Sequence, residues 1–279
     1  MKLTSLNTSL FKLDGGAMFG VVPKSIWNKT NPADQNNMCT WAMRCLLIEE
    51  GSRLILVDTG IGNKQSDKFF GFYDLKNTFS LESCVNNAGY NIDEVTDVLL
   101  THLHFDHVGG AVNKLDENRF ETACKNATYW SNARHWKWAT EPNVREKNSF
   151  LKENIMPIQE SGQLKFVEEG DKLTDNIDLV FVSGHTDAMM LPKIKTEKGT
   201  LLYTADLVPS VGHLPIAYVL GYDTRPLLTL DEKEKILSEA VTNNYTLFFE
   251  HDSVNECCTL QNTERGIRAE RTFNLSEGF

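Results

Sequence analysis

Short, almost wholly apolar runs separated by turn residues set the rhythm of this chain, and they read as buried strands. Residues 41–49 and 53–57 form a strand pair joined through Glu50-Gly51-Ser52, and the second of them runs into Asp58-Thr59-Gly60. Further strands are expected over residues 95–100, 127–130, 164–167, 177–182, 200–204 and 245–249, with one or two edge strands in residues 257–275. Helical spacing appears over residues 81–88, stopped by Gly89, and over 131–139. Residues 145–155 also look helical and should end before Pro157, because a residue preceding proline is pushed out of the helical region. Residues 230–241 are amphipathic, with Thr229 or Asp231 as the expected cap.

Residues 1–40 carry no clear period. Asp14-Gly15-Gly16 reads as a tight turn, and residues 17–23 with Ile26 and Trp27 place large apolar groups in an irregular segment. Those groups either pack beneath a loop or wall an apolar binding site. The same two readings apply to Trp130, Trp136 and Trp138. No linker or low-complexity tract divides the chain, so one domain over residues 1–279 is expected.

Composition narrows the function. A net charge of −10 makes a nucleic-acid backbone an unfavourable partner. No apolar run approaches the roughly 20 residues that span a bilayer, and the start of the chain lacks a signal-peptide pattern, so a cytoplasmic protein is expected. The six cysteines form no C-x-x-C pair and are read as reduced and structural.

The chemistry concentrates in Thr101-His102-Leu103-His104-Phe105-Asp106-His107-Val108-Gly109-Gly110. His102, His104, Asp106 and His107 put imidazole and carboxylate metal donors into six positions of a chain with seven histidines, a pattern chance supplies in roughly one such chain in several thousand. Other donors fall close to the ends of apolar runs: His185 after Ser183-Gly184, Asp206 after Ala205, and His251 after Glu250. In sheets covered by helices on both faces, ligands gather in the crevice at the carboxyl ends of strands. Five imidazoles and two carboxylates exceed the roughly four positions of one tetrahedral ion, whereas two ions sharing a carboxylate would use all seven. Asp58, just past its strand, is read as a loop-fixing acceptor rather than a ligand.

At these residues the sequence resembles the metallo-β-lactamase superfamily: His-x-His-x-Asp-His after a strand, then a distant His, Asp and His in that order. The resemblance implies an α/β fold, a four-layer αβ/βα sandwich with mixed sheets flanked by helices. It implies that His102, His104 and His185 hold one metal ion, that Asp106, His107 and His251 hold another, and that Asp206 bridges them. Residues 127–138, 148–157, 205–209 and 221–223 are most similar to the quorum-quenching lactonase and methyl-parathion-hydrolase-like branch. True β-lactamases usually carry Arg in place of His107 and Cys in place of Asp206. Two departures stand out: Gly184-His185-Thr186-Asp187-Ala188-Met189 replaces the common Gly-His-Thr-Pro-Gly-His, and Pro209 stands where well-known acyl-homoserine lactonases have a tyrosine. His213, Tyr218 or Tyr222 could supply the missing donor; for His213 the plainer reading is an ordinary loop histidine.

The expected protein is therefore a dinuclear metal-dependent hydrolase that opens a lactone, N-acyl homoserine lactones among the candidates, or cleaves a related ester. A metal-bridging hydroxide attacks the carbonyl, and Asp106 carries a proton to the leaving group. Asp106, His213 and Tyr222 are the expected catalytic residues. Zinc is the default for this donor set, with manganese, iron and cobalt compatible. The expected partner is a small neutral substrate with an apolar part, not nucleic acid or membrane, and a homodimer is left open. Other readings are a phosphotriester hydrolase, a mononuclear iron dioxygenase and a non-catalytic sensor on the same fold.

Overall fold

The computed structural model describes residues 1–117 and 119–279. One mixed sheet contains β1 (Lys2–Asp14), β2 (Met38–Glu50), β3 (Arg53–Val57) and β4 (Asp97–Leu99). A small hairpin of β5 (Val112–Lys114) and β6 (Phe120–Thr122) follows, and then β7 (Thr128–Ser131) and β8 (Leu164–Phe166) complete the sheet in the order β1-β2-β3-β4-β7-β8. The second sheet comprises β9 (Lys172–Thr174), β10 (Ile177–Val182), β11 (Met189–Thr196), β12 (Gly199–Tyr203), β13 (Thr246–Phe248), β14 (Cys257–Thr263) and β15 (Gly266–Phe273). Its order runs β15 to β9 in reverse chain order, all antiparallel except the β12–β13 pair.

Alternation along the strands builds the layers. On β2 and β3, Leu46, Ile48, Ile55 and Val57 enter the core between the sheets, where they join Leu191, Leu202, Tyr203 and Phe248 of the second sheet. Leu47, Leu54 and Leu56 point the other way, into a core with Leu81, Val85, Trp136, Ile155 and Ile158 from the outer helices. Ile236, Leu237 and Ala240 of the helix Pro226–Thr242 cover the second sheet. The result is helices, sheet, sheet, helices. Among the described residues no helix is long and apolar enough to cross a membrane.

Several local expectations are corrected. Residues 2–14 form a full strand; its bulge between Asn7 and Ser9 breaks the two-residue period that would have revealed it. Asp14-Gly15-Gly16 is no tight turn: Asp14 caps the short helix Gly15–Phe19 by accepting from the Ala17 amide. Residues 145–155 are not one helix. The regular helix is Lys152–Glu160, with Pro157 inside it. The helix Pro226–Thr242 starts at proline after Arg225 and uses neither Thr229 nor Asp231 as its cap.

In the irregular N-terminal segment Met18, Phe19 and Trp27 are buried, Val21 and Ile26 are exposed, and Met18 also lines the cavity at the donor cluster. Trp27 is buried and stacks on Phe19 at 5.4 Å between ring centroids. Trp130 donates to Asp97, Trp136 packs with the outer helices, and Trp138 donates to Glu146.

Candidate metal centre

Each of the four strands that carry the dispersed donors delivers its residue at the same offset. His102, His185, Asp206 and His251 each lie three positions beyond the last residue of β4, β10, β12 and β13. β12 and β13 run parallel with Tyr203 opposite Phe248, which sets Asp206 and His251 at one height. The Met190 amide donates to the Thr101 carbonyl at 2.9 Å, tying the motif of the first sheet to the second. Ala205, with φ of 40°, takes the left-handed region that turns the chain into Asp206, a conformation held at a cost by its surroundings.

The motif itself is braced from beneath. A Cβ on Gly109 would strike the Ile61 carbonyl, and one on Gly110 the Thr59 carbonyl, so the two glycines let the loop after β3 pass directly under the motif. Asp58 accepts from the Thr101 amide at 2.8 Å, from the Thr101 hydroxyl at 2.6 Å and from His107 Nδ1 at 3.2 Å. His135 Nε2 accepts from the Leu103 amide at 2.9 Å while its Nδ1 donates to the Asp187 carbonyl at 2.6 Å. Burial holds that imidazole neutral, its pKa pushed down to about 4.

Seven expected donors converge. His102, His104, His185 and Asp206 form one group whose donor atoms all lie within 4.8 Å of one another, and Asp106, His107 and His251 form a second. Asp206 stands between them: Oδ2 is 3.1 Å from His185 Nε2 and 3.6 Å from His107 Nε2, and Oδ1 is 3.1 Å from His251 Nε2.

Every imidazole is held by an acceptor on its outer nitrogen. His102 Nδ1 meets the Thr101 hydroxyl at 3.1 Å, and that hydroxyl's own proton goes to Asp58. His104 Nε2 meets Glu146 at 3.3 Å, and His107 Nδ1 meets Asp58 at 3.2 Å, with Glu250 as an ion-pair neighbour at 3.0 Å that makes no hydrogen bond to it. His185 Nδ1 meets Asp223 at 2.9 Å, and His251 Nδ1 donates to the Ala42 carbonyl at 2.8 Å. These acceptors fix the tautomers, so the inner nitrogens present lone pairs to one another. His104 Nδ1 faces His185 Nε2 at 3.2 Å, His107 Nε2 faces His251 Nε2 at 3.3 Å, and the buried His102 Nε2 has no hydrogen-bond partner. Lone pairs facing at such distances require a proton or a cation between them. The donor set therefore fits metal ions.

The electrostatics agree. Burial alone would raise the Asp206 carboxyl, but His185, His251 and His107 around it hold it well below the usual carboxylate range. Burial likewise opposes charge on His185, and Asp206 and Asp223 overrule it. Glu146, buried but hydrogen-bonded by His104 and Asn143, is held down to about 2.

The centre opens on a cavity of about 160 Å³, lined by Leu13, Met18, Tyr73, Phe105, Leu220 and Tyr222 together with Asn148, Ser149 and five of the seven donors. A larger cleft of about 620 Å³ beside Asn63, Phe79 and Lys114 contains none of the seven. Tyr222 thus lines the cavity beside the centre. His213 does not: its ring stacks on Phe19, its Nε2 donates to the Met18 carbonyl, and its Nδ1 pairs with the Ser210 hydroxyl. With both nitrogens engaged and burial pushing its pKa down to about 3, it is a structural residue. The tryptophans are absent from the cavity wall. Sequence reasoning missed Glu146, Glu250 and Asp223 as partners of the imidazoles, and Tyr73 at the cavity.

Residues 44–241 match the family described as the metallo-beta-lactamase superfamily, and the chain belongs to that superfamily. Within this class of metal-dependent hydrolases it is similar to an N-acyl homoserine lactonase of Bacillus cereus, 23% identical over 247 residues that cover 83% of this chain and 88% of the relative. Among solved structures, a probable metal-dependent hydrolase from Staphylococcus aureus superposes with a TM-score of 0.89 at 24% identity, covering 98% of this chain and 96% of that one. AidC, a dizinc quorum-quenching lactonase in complex with a product, superposes with a TM-score of 0.80 at 21% identity over 98% of this chain and 95% of its own.

Proposed function

We propose that this protein is a dinuclear metallohydrolase that opens a lactone or cleaves a related carboxylic ester. The observation that carries the reading is the set of inward-facing lone pairs on five imidazoles, converging on Asp206 beside a small, mostly apolar cavity. His102, His104 and His185 would hold one ion, Asp106, His107 and His251 the other, and Asp206 both. Zinc is the first choice for this N/O donor set and matches the dizinc neighbour. Divalent ions held there supply Lewis-acid chemistry, lowering the pKa of a water and neutralising charge that builds on substrate oxygens.

The chain's own residues do the rest. Leu13, Met18, Phe105 and Leu220 exclude water from the substrate's apolar part and limit its size. Asp106, at the cavity wall, is placed to pass a proton to the leaving oxygen. The lactonase relatives support homoserine lactones with a short acyl chain as the first substrates to try.

The test is metal content followed by a panel of lactones, aryl esters and phosphotriesters. Two ions per chain and turnover of a lactone or carboxylic ester are expected. Two bound ions with an inert panel would leave a sensor; one iron per chain with oxygen uptake would make it a dioxygenase.

The outer acceptors should matter through the ions. Asp223→Ala removes the carboxylate that orients His185, and a loss of about 10–100-fold in metal affinity is expected. Competition with a chromogenic chelator measures it; unchanged affinity would show that Asp223 does not act through His185.

A further inference from the structure

The cavity wall carries no lysine or arginine. A substrate oxygen that gains charge beside Asp106 therefore meets only neutral donors from the chain: Tyr73, Tyr222, Asn148 and Ser149. The two phenols share the small cavity with Asp106, and the Tyr73 ring packs against Phe105, the residue before Asp106. Burial first, and Asp106 with it, pushes the Tyr73 hydroxyl up to about 12; burial, Tyr73 and Asp106 raise Tyr222 as well. Both phenols keep their protons throughout the working range.

Tyr73 is rigidly presented. Its carbonyl accepts from the Lys12 amide of β1 at 2.7 Å, and its amide donates to the Phe70 carbonyl at 3.0 Å. Its ring packs against Phe69 at 5.2 Å and against Phe105, the neighbour of Asp106, at 5.0 Å between centroids. Tyr222 follows Gly221, whose amide donates to the Ala17 carbonyl at 2.8 Å and whose carbonyl accepts from Arg145. Backbone and ring are engaged in Tyr73, yet among the described residues neither phenol hydroxyl has a hydrogen-bond partner; both tyrosines line the cavity, and Tyr222 is 40% exposed.

We propose that Tyr73 and Tyr222 are a pair of neutral hydrogen-bond donors for the leaving oxygen of the lactone or ester. The proposal rests on the hydrolase reading above. The oxygen that Asp106 protonates has to lie next to Asp106, in the small cavity that Tyr73 and Tyr222 also line. In the step, water's oxygen bonds to the carbonyl carbon and the bond from that carbon to the leaving oxygen breaks with its electron pair. One proton of the water reaches the leaving oxygen through Asp106. The phenols stabilise the charge in between and lose no proton.

The test compares Y73F, Y222F and the double variant, each loaded with metal, on an alkyl lactone and on a 4-nitrophenyl ester of the same acyl chain. An alkoxide leaves poorly and needs the donors, whereas nitrophenolate leaves unaided. The double variant is expected to lose about 100-fold in kcat on the lactone, in keeping with the worth of a charge-stabilising donor, with KM, metal content and Tm unchanged and the nitrophenyl ester still turned over. Each single variant should show the same split to a lesser degree, so either alone carries the test if the other fails to fold. Equal losses on both substrates, no loss on either, or a change confined to KM would overturn the proposal while leaving the hydrolase reading standing. A wild-type enzyme inert on both substrates would overturn that reading and this proposal with it.

Discussion

Asp206→Asn is expected to lower kcat/KM on any accepted lactone or ester by about 10³-fold or more, since even the outer partners of metal ligands are worth about 10–100-fold. The carboxylate lies within 3.1 Å of nitrogens from both histidine groups, and it is the negative charge that lets several imidazoles crowd into one buried space. An amide keeps the shape but presents one neutral oxygen, so it cannot balance two cations. Metal analysis should find fewer than two ions in the variant, and circular dichroism should find the fold retained, because the sheets are held by cores remote from this carboxylate. A variant that keeps both ions and full turnover would remove Asp206 from the proposed centre.

Much of this centre was legible because its donors sit at punctuation marks in the chain. A strand buried on both faces writes itself as an apolar run, and a polar residue three positions past its end is conspicuous: His102, His185, Asp206 and His251 all share that offset. His104, Asp106 and His107 were given by their density in one loop. What stayed hidden depends on distant partners. Glu146 lies in an irregular turn 42 residues from His104, and Glu250 and Asp223 reach His107 and His185 only through the fold. Tyr73 lies in a segment with no period, and its place at the cavity comes from Phe69, Phe105 and β1. His213 was misleading for the converse reason: a polar residue after a proposed ligand looked available, while Ser210 and Met18 had already taken both its nitrogens. The bulge in β1 and the proline inside Lys152–Glu160 are cases in which tertiary packing overrides the local pattern.

Stripping the ions with a chelator is expected to abolish hydrolysis and to destabilise the protein in a pH-dependent way. If the ions bind only the native state at about 1,000 times their dissociation constant, each contributes about 4 kcal/mol, and for a chain of this size losing even one of them lowers Tm by about 10 °C. In the ion-free protein, protons take over part of the role. Burial disfavours charge on His185 and His251, but Asp206 prevails and holds them up to about 10 and about 9, above the 6.5 of an ordinary imidazole. A folded-state pKa above the unfolded one means that the folded chain binds the extra proton. That contribution is fully present below about pH 6.5 and is lost as pH rises through 9 to 10. Ion affinity moves the opposite way, since each ion must displace those protons. The Tm difference between loaded and stripped protein should therefore widen steadily from pH 6 to pH 10, and reloading at pH 8 should release protons in an unbuffered titration. A gap that stays constant or narrows would mean that the inner nitrogens are not where the ions bind.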